Sequence, residues 1–172
     1  MTYHVTIEPR TLHFKQPAGT SRGIYTTRQS WFITITSPEQ PDRKGVGECA
    51  PLPDLSCDAI PEYERILYSV CNMFGLTGKI NHDMLFGLET ALLSFESGSD
   101  VLFDTPFARG EEGIPINGLV WMGSYDEMLS RLENKMKTGF RCVKLKIGAI
   151  DFDKELDLIR HIRSAFTKEQ IE

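Results

Sequence analysis

The sequence predicts two differently built parts: an α+β domain with a three-stranded antiparallel meander, and then the beginning of a parallel β/α sheet. The alternating segments HVTIEPRTLHF, SWFITIT and GVGECA predict three consecutive strands with short connections. From about residue 113, strand and helix patterns alternate, as in parallel sheets with right-handed crossovers. Parallel sheets are buried on both faces, which two β/α units cannot achieve. We therefore expect an incomplete sheet that is finished by sequence beyond Glu172 or by another chain.

The composition is that of a soluble globular protein rather than of a disordered or membrane-spanning one. Of the 172 residues, 41% are hydrophobic and 25% are charged. The net charge of −5 argues against non-specific binding to nucleic acid or to an anionic membrane. The four cysteines form no C-x-x-C pattern, so we interpret them as free thiols in a reducing cytoplasm.

The α+β domain is expected to continue from its strands into two helices. The segment PAGTSRGIYTTR, between the first two strands, is rich in Gly, Ser and Thr and predicts a mobile loop. Asp58 is the predicted N-cap of the first helix, and Gly75 and Gly78 mark its predicted end. A second helix is predicted over about 81–97. The predicted boundaries are 1–98 for this domain, 99–112 for a linker and 113–172 for the β/α units.

The β/α units have clear local signals. IPINGLVWM and FRCVKLKIG are apolar enough for buried strands. The helix after the first strand opens with Ser124 and Glu127 at capping-box spacing and closes at Gly139. The helix after the second strand is amphipathic. Its predicted buried side chains are Phe152, Leu156, Ile159, Ile162 and Phe166.

Two lysines interrupt the second of these strands, in the segment RCVKLKIG. Because strand side chains alternate, Lys144 and Lys146 share one face, and the opposite face is apolar. The apolar side chains expected against the helices are Val143, Leu145 and Ile147. Lys146 lies nearer the C-terminal end of the strand, where α/β barrels build active sites. A partly desolvated lysine beside a second ammonium is favoured as the neutral amine, a general base. Two lysines that merely reach solvent are the alternative.

Four motifs in the order GVGECAPLPDLS, FGLETALLSF, INGLVWMG and KLKIG carry a family resemblance. The chain resembles the muconate-lactonizing branch of the enolase superfamily, and within it the o-succinylbenzoate synthases. The resemblance covers the whole chain but only the N-terminal half of a family member. It implies a capping domain over a modified TIM-type (β/α) barrel, with the active site between them. This chain would then be the cap and the first β/α units of a truncated barrel.

The resemblance implies a carbon–oxygen lyase that removes an α-proton from a small carboxylate substrate with the help of Mg²⁺. For the o-succinylbenzoate synthases the reaction is dehydration of 2-succinyl-6-hydroxy-2,4-cyclohexadiene-1-carboxylate to 2-succinylbenzoate, in menaquinone biosynthesis. The second lysine of K-x-K is the acid/base, a role that falls to Lys146, while Lys144 assists it. The family's metal ligands end later barrel strands. The resemblance therefore implies no metal site and no activity from this chain alone.

Substrate contacts are implied in two segments of the cap, around residues 19–25 and in PLPDLS. The candidate substrate-binding residues are Ser21, Arg22, Pro53 and Ser56. Glu48 is expected to make a structural contact instead. Asp151 and Asp153 are expected to begin a helix, where carboxylates favour the helix dipole.

Two alternatives remain open. A dipeptide epimerase or N-acylamino acid racemase of the same superfamily would share K-x-K and the Mg²⁺ chemistry. A non-catalytic binding module would instead self-associate through exposed apolar strands, since large apolar patches seldom stay bare. The expected partners are therefore a small carboxylate and either the missing C-terminal half of the barrel or a second copy, with no nucleic acid and no membrane.

Overall fold

The computed structural model describes residues 1–20, 22–79 and 85–172. The predicted fold class is confirmed, since the chain contains a three-stranded sheet with helices and a parallel sheet with helices.

The chain divides into two compact units. Unit 1 comprises Met1–Lys15 and Thr27–Glu112, and unit 2 comprises Gln16–Thr26 and Gly113–Glu172. The segment predicted as a linker thus clusters with unit 1, whereas the tip of an N-terminal hairpin clusters with unit 2.

Three strands form the antiparallel sheet, in the spatial order β1-β2-β3. The strands are β1 (His4–Thr20), β2 (Gly23–Thr36) and β3 (Lys44–Cys49). β2 pairs with β3 from Trp31 opposite Cys49 to Thr36 opposite Lys44. The predicted mobile loop is wrong, because strand structure continues through most of PAGTSRGIYTTR. Its β-branched and aromatic residues suit a strand, and Pro17 is tolerated because β1 lies at the sheet edge.

Two helices complete unit 1, α1 (Tyr63–Thr77) and α2 (Leu85–Ser97). α1 ends at Gly78, which has φ +64° and donates its N–H to the carbonyl of Phe74 at 2.7 Å. The predicted N-cap Asp58 is wrong, because the helix begins five residues later. Asp58 lies instead in a turn, where its carbonyl accepts the N–H of Ile60 at 2.8 Å. The start of the second predicted helix falls partly on residues outside those described.

Helix α2 lies directly on strand β3, with glycines where the two backbones meet. A Cβ at Gly45 would overlap the carbonyl oxygen of Ala91, and one at Gly47 would overlap that of Gly87. A Cβ at Gly87 would in turn overlap the sulfur of Cys49. The G-x-G and F-G-L motifs therefore have a packing explanation. Around this contact lies the core of unit 1, which includes Ile33, Ile35, Leu67, Phe74, Leu88 and Phe95.

Unit 2 contains two β/α units. Its elements are β4 (Gly118–Val120), α3 (Tyr125–Lys137), β5 (Val143–Leu145) and α4 (Phe152–Ala165). β4 and β5 are parallel, with Gly118 opposite Val143 and Val120 opposite Leu145. Glu172 donates its N–H to the carbonyl of Arg141 and accepts the N–H of Val143, both at 2.8 Å. This is the bond pattern of a parallel bridge, on the edge of β5 opposite β4.

Helices α3 and α4 pack on this sheet through side chains. The core of unit 2 consists of Val120, Met128, Leu132, Leu158, Ile162 and Ile171. The predicted capping box is confirmed, because the Ser124 side chain accepts the N–H of Glu127 and the Glu127 carboxylate accepts the N–H of Ser124. The predicted buried face of α4 is partly wrong, since Phe152 is 67% exposed and Ile159 is 44% exposed. α4 has apolar residues on two faces, and the face with Leu158 and Ile162 is the buried one.

Candidate active site

The two lysines lie at the C-terminal end of β5. Val143 and Leu145 pack against the core of unit 2, which confirms the predicted apolar face at these two positions. Lys144 is exposed and Lys146 is half-buried. Ile147 is 56% exposed, contrary to the prediction, because the strand ends at Leu145 and its alternation ends with it.

Main-chain hydrogen bonds hold the backbone around Lys146. The N–H of Lys146 donates to the carbonyl of Val120 at 3.0 Å and so extends the parallel pairing beyond the strand. Two residues later, Gly148 has φ +100° and donates its N–H to Oε1 of Glu155 at 2.5 Å. Among the described residues, neither lysine ammonium lies within 4.0 Å of a carboxylate.

Glu155 is a residue that the sequence did not single out. It lies in the first turn of α4 and is 6% exposed. The predicted buried face of α4 contained Phe152 and Ile159, and this prediction put Glu155 on the solvent side of the helix. A sequence signal was nevertheless present, because Glu155, Leu158 and Ile162 share a helix face at spacings of three and four. Asp151 and Asp153 take the predicted places at the start of this helix.

A solvent-open cavity of about 790 Å³ lies in unit 2, beside the C-terminal ends of β4 and β5. The tip of the β1–β2 hairpin forms one wall, with Thr20 and Ile24. The β4–α3 loop, helix α3 and the β5–α4 loop form the rest, with Ser124, Arg131 and Ile150 among their residues. Lys144 and Lys146 are not among the lining residues. The hairpin tip and the carboxyl ends of both strands thus border one space, with the lysines outside its lining.

Arg131 shapes the wall of this cavity. Its guanidinium donates to the carbonyls of Trp121 and Met122, both at 3.1 Å, and lies 3.9 Å from the Glu127 carboxylate. A Cβ at Gly123 would lie 2.8 Å from that carboxylate and 3.0 Å from the guanidinium. The capping-box carboxylate accepts two hydrogen bonds from Ser124, which lowers the pKa of Glu127. The sequence WMGS therefore builds a fixed corner after β4.

Two candidate substrate residues, Ser21 and Arg22, belong to the segment between β1 and β2 in sequence. Ser21 is outside the described residues. Arg22 is exposed, and its N–H donates to Oγ1 of Thr20 at 3.2 Å. The Thr20 hydroxyl donates in turn to the carbonyl of Gly23 at 3.1 Å, which closes the turn. A role in substrate binding stays a prediction for Ser21 and Arg22.

Pro53 and Ser56 belong to a compact turn in unit 1. The N–H of Leu52 donates to Oγ of Ser56, and the N–H of Ser56 donates to the carbonyl of Leu52, both at 2.9 Å. Asp54, inside this turn, has φ +61°, a conformation uncommon for residues other than glycine. The turn is thus fixed by its own hydrogen bonds, and the substrate role of Pro53 and Ser56 stays a prediction.

Other reactive groups of unit 1 have structural explanations. Glu48 accepts a hydrogen bond from the buried hydroxyl of Ser30 at 2.7 Å. The thiols of Cys49 and Cys71 are buried, and burial raises the pKa of Cys71 to about 12 and also raises that of Cys49. Because the thiolate is the nucleophilic form, burial disfavours nucleophilic chemistry at these two cysteines.

A divalent cation site needs several oxygen ligands at one place. Among the residues that the structure describes, no three His, Cys, Asp or Glu side chains come together as a metal site would require. The resemblance places the magnesium ligands of the family on later barrel strands, which this chain does not contain. Of the helices described, none has the length and apolar character needed to cross a membrane.

Comparisons with known proteins agree with this geometry. No protein-family model matches the chain. The chain is 33% identical to an o-succinylbenzoate synthase from Desulfotalea psychrophila, over 94% of this chain and 54% of the relative. The crystal structure of MenC from the same organism is 27% identical and superimposes with a TM-score of 0.74 over 100% of this chain and 56% of that one. The resemblance to the enolase superfamily is confirmed.

More distant superfamily structures share the fold. The o-succinylbenzoate synthase of Thermosynechococcus elongatus, a complex with Mg in the active site, is 16% identical with a TM-score of 0.62, over 98% of this chain and 50% of that one. Muconate lactonizing enzyme and dipeptide epimerases are also among the structures with this fold. The chain spans about half the length of the relatives that it matches.

Proposed function

We propose that this chain is the capping domain and first two β/α units of an o-succinylbenzoate synthase. The observation that carries the proposal is the 33% identity to such a synthase along 94% of the chain. The position of Lys146 at the C-terminal end of β5 supports it, because barrel enzymes place catalytic groups there.

In the proposed reaction, the substrate is 2-succinyl-6-hydroxy-2,4-cyclohexadiene-1-carboxylate. The neutral amine of Lys146 takes the proton from C1, next to the carboxylate. The electron pair of the broken C1–H bond is first delocalised into the carboxylate, which gives an enediolate. It then forms the C1–C6 double bond as the C6–O bond breaks. The Lys146 ammonium returns its proton to the departing hydroxide, so that water and 2-succinylbenzoate are the products. The Lys144 ammonium, two residues before Lys146 in the sequence, stabilises the negative charge that develops on the carboxylate.

The proposal includes a C-terminal barrel half as partner, because two β/α units do not enclose an active site. We expect the Mg²⁺ ligands in that half, because the family's metal ligands end later barrel strands. We accordingly expect the 172-residue chain to be inactive alone. Menaquinone biosynthesis and a cytoplasmic location are parts of the same proposal.

Dipeptide epimerisation is the second candidate, supported by the fold shared with the L-Ala-D/L-Glu epimerase of Bacillus subtilis, at 19% identity and a TM-score of 0.61. An epimerase would use the same α-proton removal and return the proton to the opposite face of the carbon. The two activities therefore differ in whether a leaving group departs.

A chimera tests the proposal. This chain is joined to the C-terminal part of the Desulfotalea psychrophila synthase, and dehydration and Ala-Glu epimerisation are both measured with Mg²⁺. We expect dehydration, and Lys146→Ala should lower kcat by about 10²–10⁴-fold with the fold unchanged by circular dichroism. Lys154→Ala, which removes an exposed lysine of α4, is the matched control with near-unchanged rate.

Three outcomes would contradict the proposal. A folded chimera that epimerises the dipeptide and dehydrates nothing would favour the second candidate. A folded chimera without either activity would exclude both. A near-unchanged rate in Lys146→Ala would remove the role assigned to Lys146.

A further inference from the structure

Glu155 is a buried acid that the proposed chemistry does not use. It is 6% exposed, and its Oε1 accepts the N–H of Gly148 at 2.5 Å. A carboxylate is buried at a large cost in free energy unless it is hydrogen-bonded or paired. The charge-assisted bond to the Gly148 N–H offsets that cost, and so does the place of the carboxylate in the first turn of a helix. The bond ties the first turn of α4 to the turn that follows β5.

The turn in question begins at Lys146. Its N–H is bonded to the carbonyl of Val120 at 3.0 Å, and Gly148 follows after Ile147 alone. Gly148 has φ +100°, which an L-residue rarely adopts and glycine adopts readily. The main chain is thus held at Lys146 by the sheet and at Gly148 by the carboxylate of Glu155.

We propose that Glu155 is a positioning residue for Lys146, an inference that rests on the proposed function. The lysine side chain has four rotatable bonds, so the place of its amine depends on how firmly its backbone is held. Misplacement of a reacting group by about 1 Å can cost on the order of 10²-fold in rate. Glu155 acts through the turn and touches neither substrate nor the reacting atoms.

The chain offers a matched control in the same helical turn. Asp153 is acidic and exposed, and it also lies in the first turn of α4. Asp153→Ala removes the same charge from the helix N-terminus and leaves the bond to Gly148 in place. Glu155→Gln keeps an acceptor oxygen at the same length. Glu155→Asp keeps the charge, but its side chain is one methylene shorter. It replaces Glu155→Ala as the test variant if Glu155→Ala does not fold.

Amide hydrogen exchange in the 172-residue chain, followed by NMR, tests the anchoring without catalysis. We expect the Gly148 amide to exchange about tenfold faster in Glu155→Ala and Glu155→Asp, because a charge-assisted hydrogen bond is lost. Lys146 should lose protection with it. Asp153→Ala should leave both amides within about twofold of the parent. Unchanged Gly148 exchange in the Glu155 variants would overturn the proposal.

Kinetics in the chimera test the consequence for Lys146. We expect Glu155→Ala to lower kcat by about tenfold or more with KM near the parent value, and Glu155→Gln to restore most of kcat. A helix-stability role alone would give the same small effect in Asp153→Ala and no rescue by glutamine, and that result would overturn the proposal. If the parent chimera is inactive, the proposed function fails, and the exchange data alone decide whether Glu155 anchors the turn.

Discussion

Both units pack helices on a sheet, but they do so in opposite ways. In unit 1, glycines let the backbone of α2 rest on the backbone of β3, with no space for a further carbon. In unit 2, Leu132, Leu158 and Ile162 fill the space between helices and sheet. The difference predicts opposite sensitivities: unit 1 should fail when atoms are added at the contact, and unit 2 when atoms are removed.

The largest effect is expected from Gly47→Val in unit 1. The added side chain would overlap the Gly87 carbonyl, a backbone atom that no rotamer change can move. We expect a loss of at least about 4 kcal/mol in the free energy of unfolding, above the usual range for overpacking. Urea unfolding in a Trp121→Phe background reports unit 1, because Trp31 then remains as its fluorophore.

Gly75→Ala is the control for this prediction. Its added methyl would meet the carbonyl of Tyr3 at 3.4 Å, an ordinary contact, on helix α1. Alanine in a helix interior stabilises the fold by about 0.5–1 kcal/mol relative to glycine. The free energy of unfolding of unit 1 should therefore be unchanged or slightly higher. Similar losses for Gly47→Val and Gly75→Ala would contradict the direct backbone contact.

The second largest effect is expected from Leu132→Ala in unit 2, which removes atoms from the contact instead of adding them. Leu132 is fully buried between α3 and the sheet, so truncation leaves a cavity. We expect a loss of about 3 kcal/mol, within the usual range for leucine truncation in a core. The measurement is urea unfolding in a Trp31→Phe background, where Trp121 reports unit 2. A loss below about 1 kcal/mol would mean that side chains do not carry this packing.

The order of the elements was predictable from sequence because its signals are local. Alternation marked the strands, and Ser124 and Glu127 marked the start of α3 at the residue where the structure begins it. Alternation also placed Val143 and Leu145 on the face that packs in the core. Each of these signals needs only a few neighbouring residues.

The buried face of α4 and the lining of the cavity could not be predicted in this way, because they depend on contacts between residues far apart in the chain. Phe152 and Ile159 are apolar and suggested a buried face, yet the face with Glu155 is the buried one. Which face of α4 packs depends on its partners in the fold, not on its own periodicity. The family resemblance implied that residues 19–25 contact the substrate, but no local signal shows which β/α loop they border, since about 100 residues separate Thr20 from Ser124.

A smaller effect is expected at the capping box of unit 2. Ser124→Ala removes the side-chain acceptor for the Glu127 N–H, while the Glu127 carboxylate keeps its bond to the Ser124 N–H. Loss of an N-cap side chain costs about 1 kcal/mol. Ser124→Asp, which restores an acceptor, should recover most of this loss in the Trp121 signal. No difference between the two variants would contradict a capping role.

The smallest effect is a pH dependence in unit 1. Glu39 accepts hydrogen bonds from the Ser37 hydroxyl at 2.5 Å and the Thr2 N–H at 3.0 Å, which lower the pKa of Glu39 from 4.5 to about 2. Because the folded-state pKa is the lower one, this contribution to stability is present above about pH 4.5 and is lost as the pH falls toward 2. Glu39→Gln should therefore flatten the stability profile of unit 1 in that window. An unchanged profile would remove Glu39 as a source of acid sensitivity.

The close contacts at Gly45, Gly47 and Gly87 also bear on how such sequences are recognised. These glycines belong to the motifs GVGECA and FGLETALLSF, and at each of them the packing of α2 on β3 leaves no space for a Cβ. A search pattern built on them would find proteins whose α2 rests on β3, whatever reaction they catalyse. Patterns that discriminate between dehydratases and epimerases need to be written on other positions, among the groups that surround the substrate.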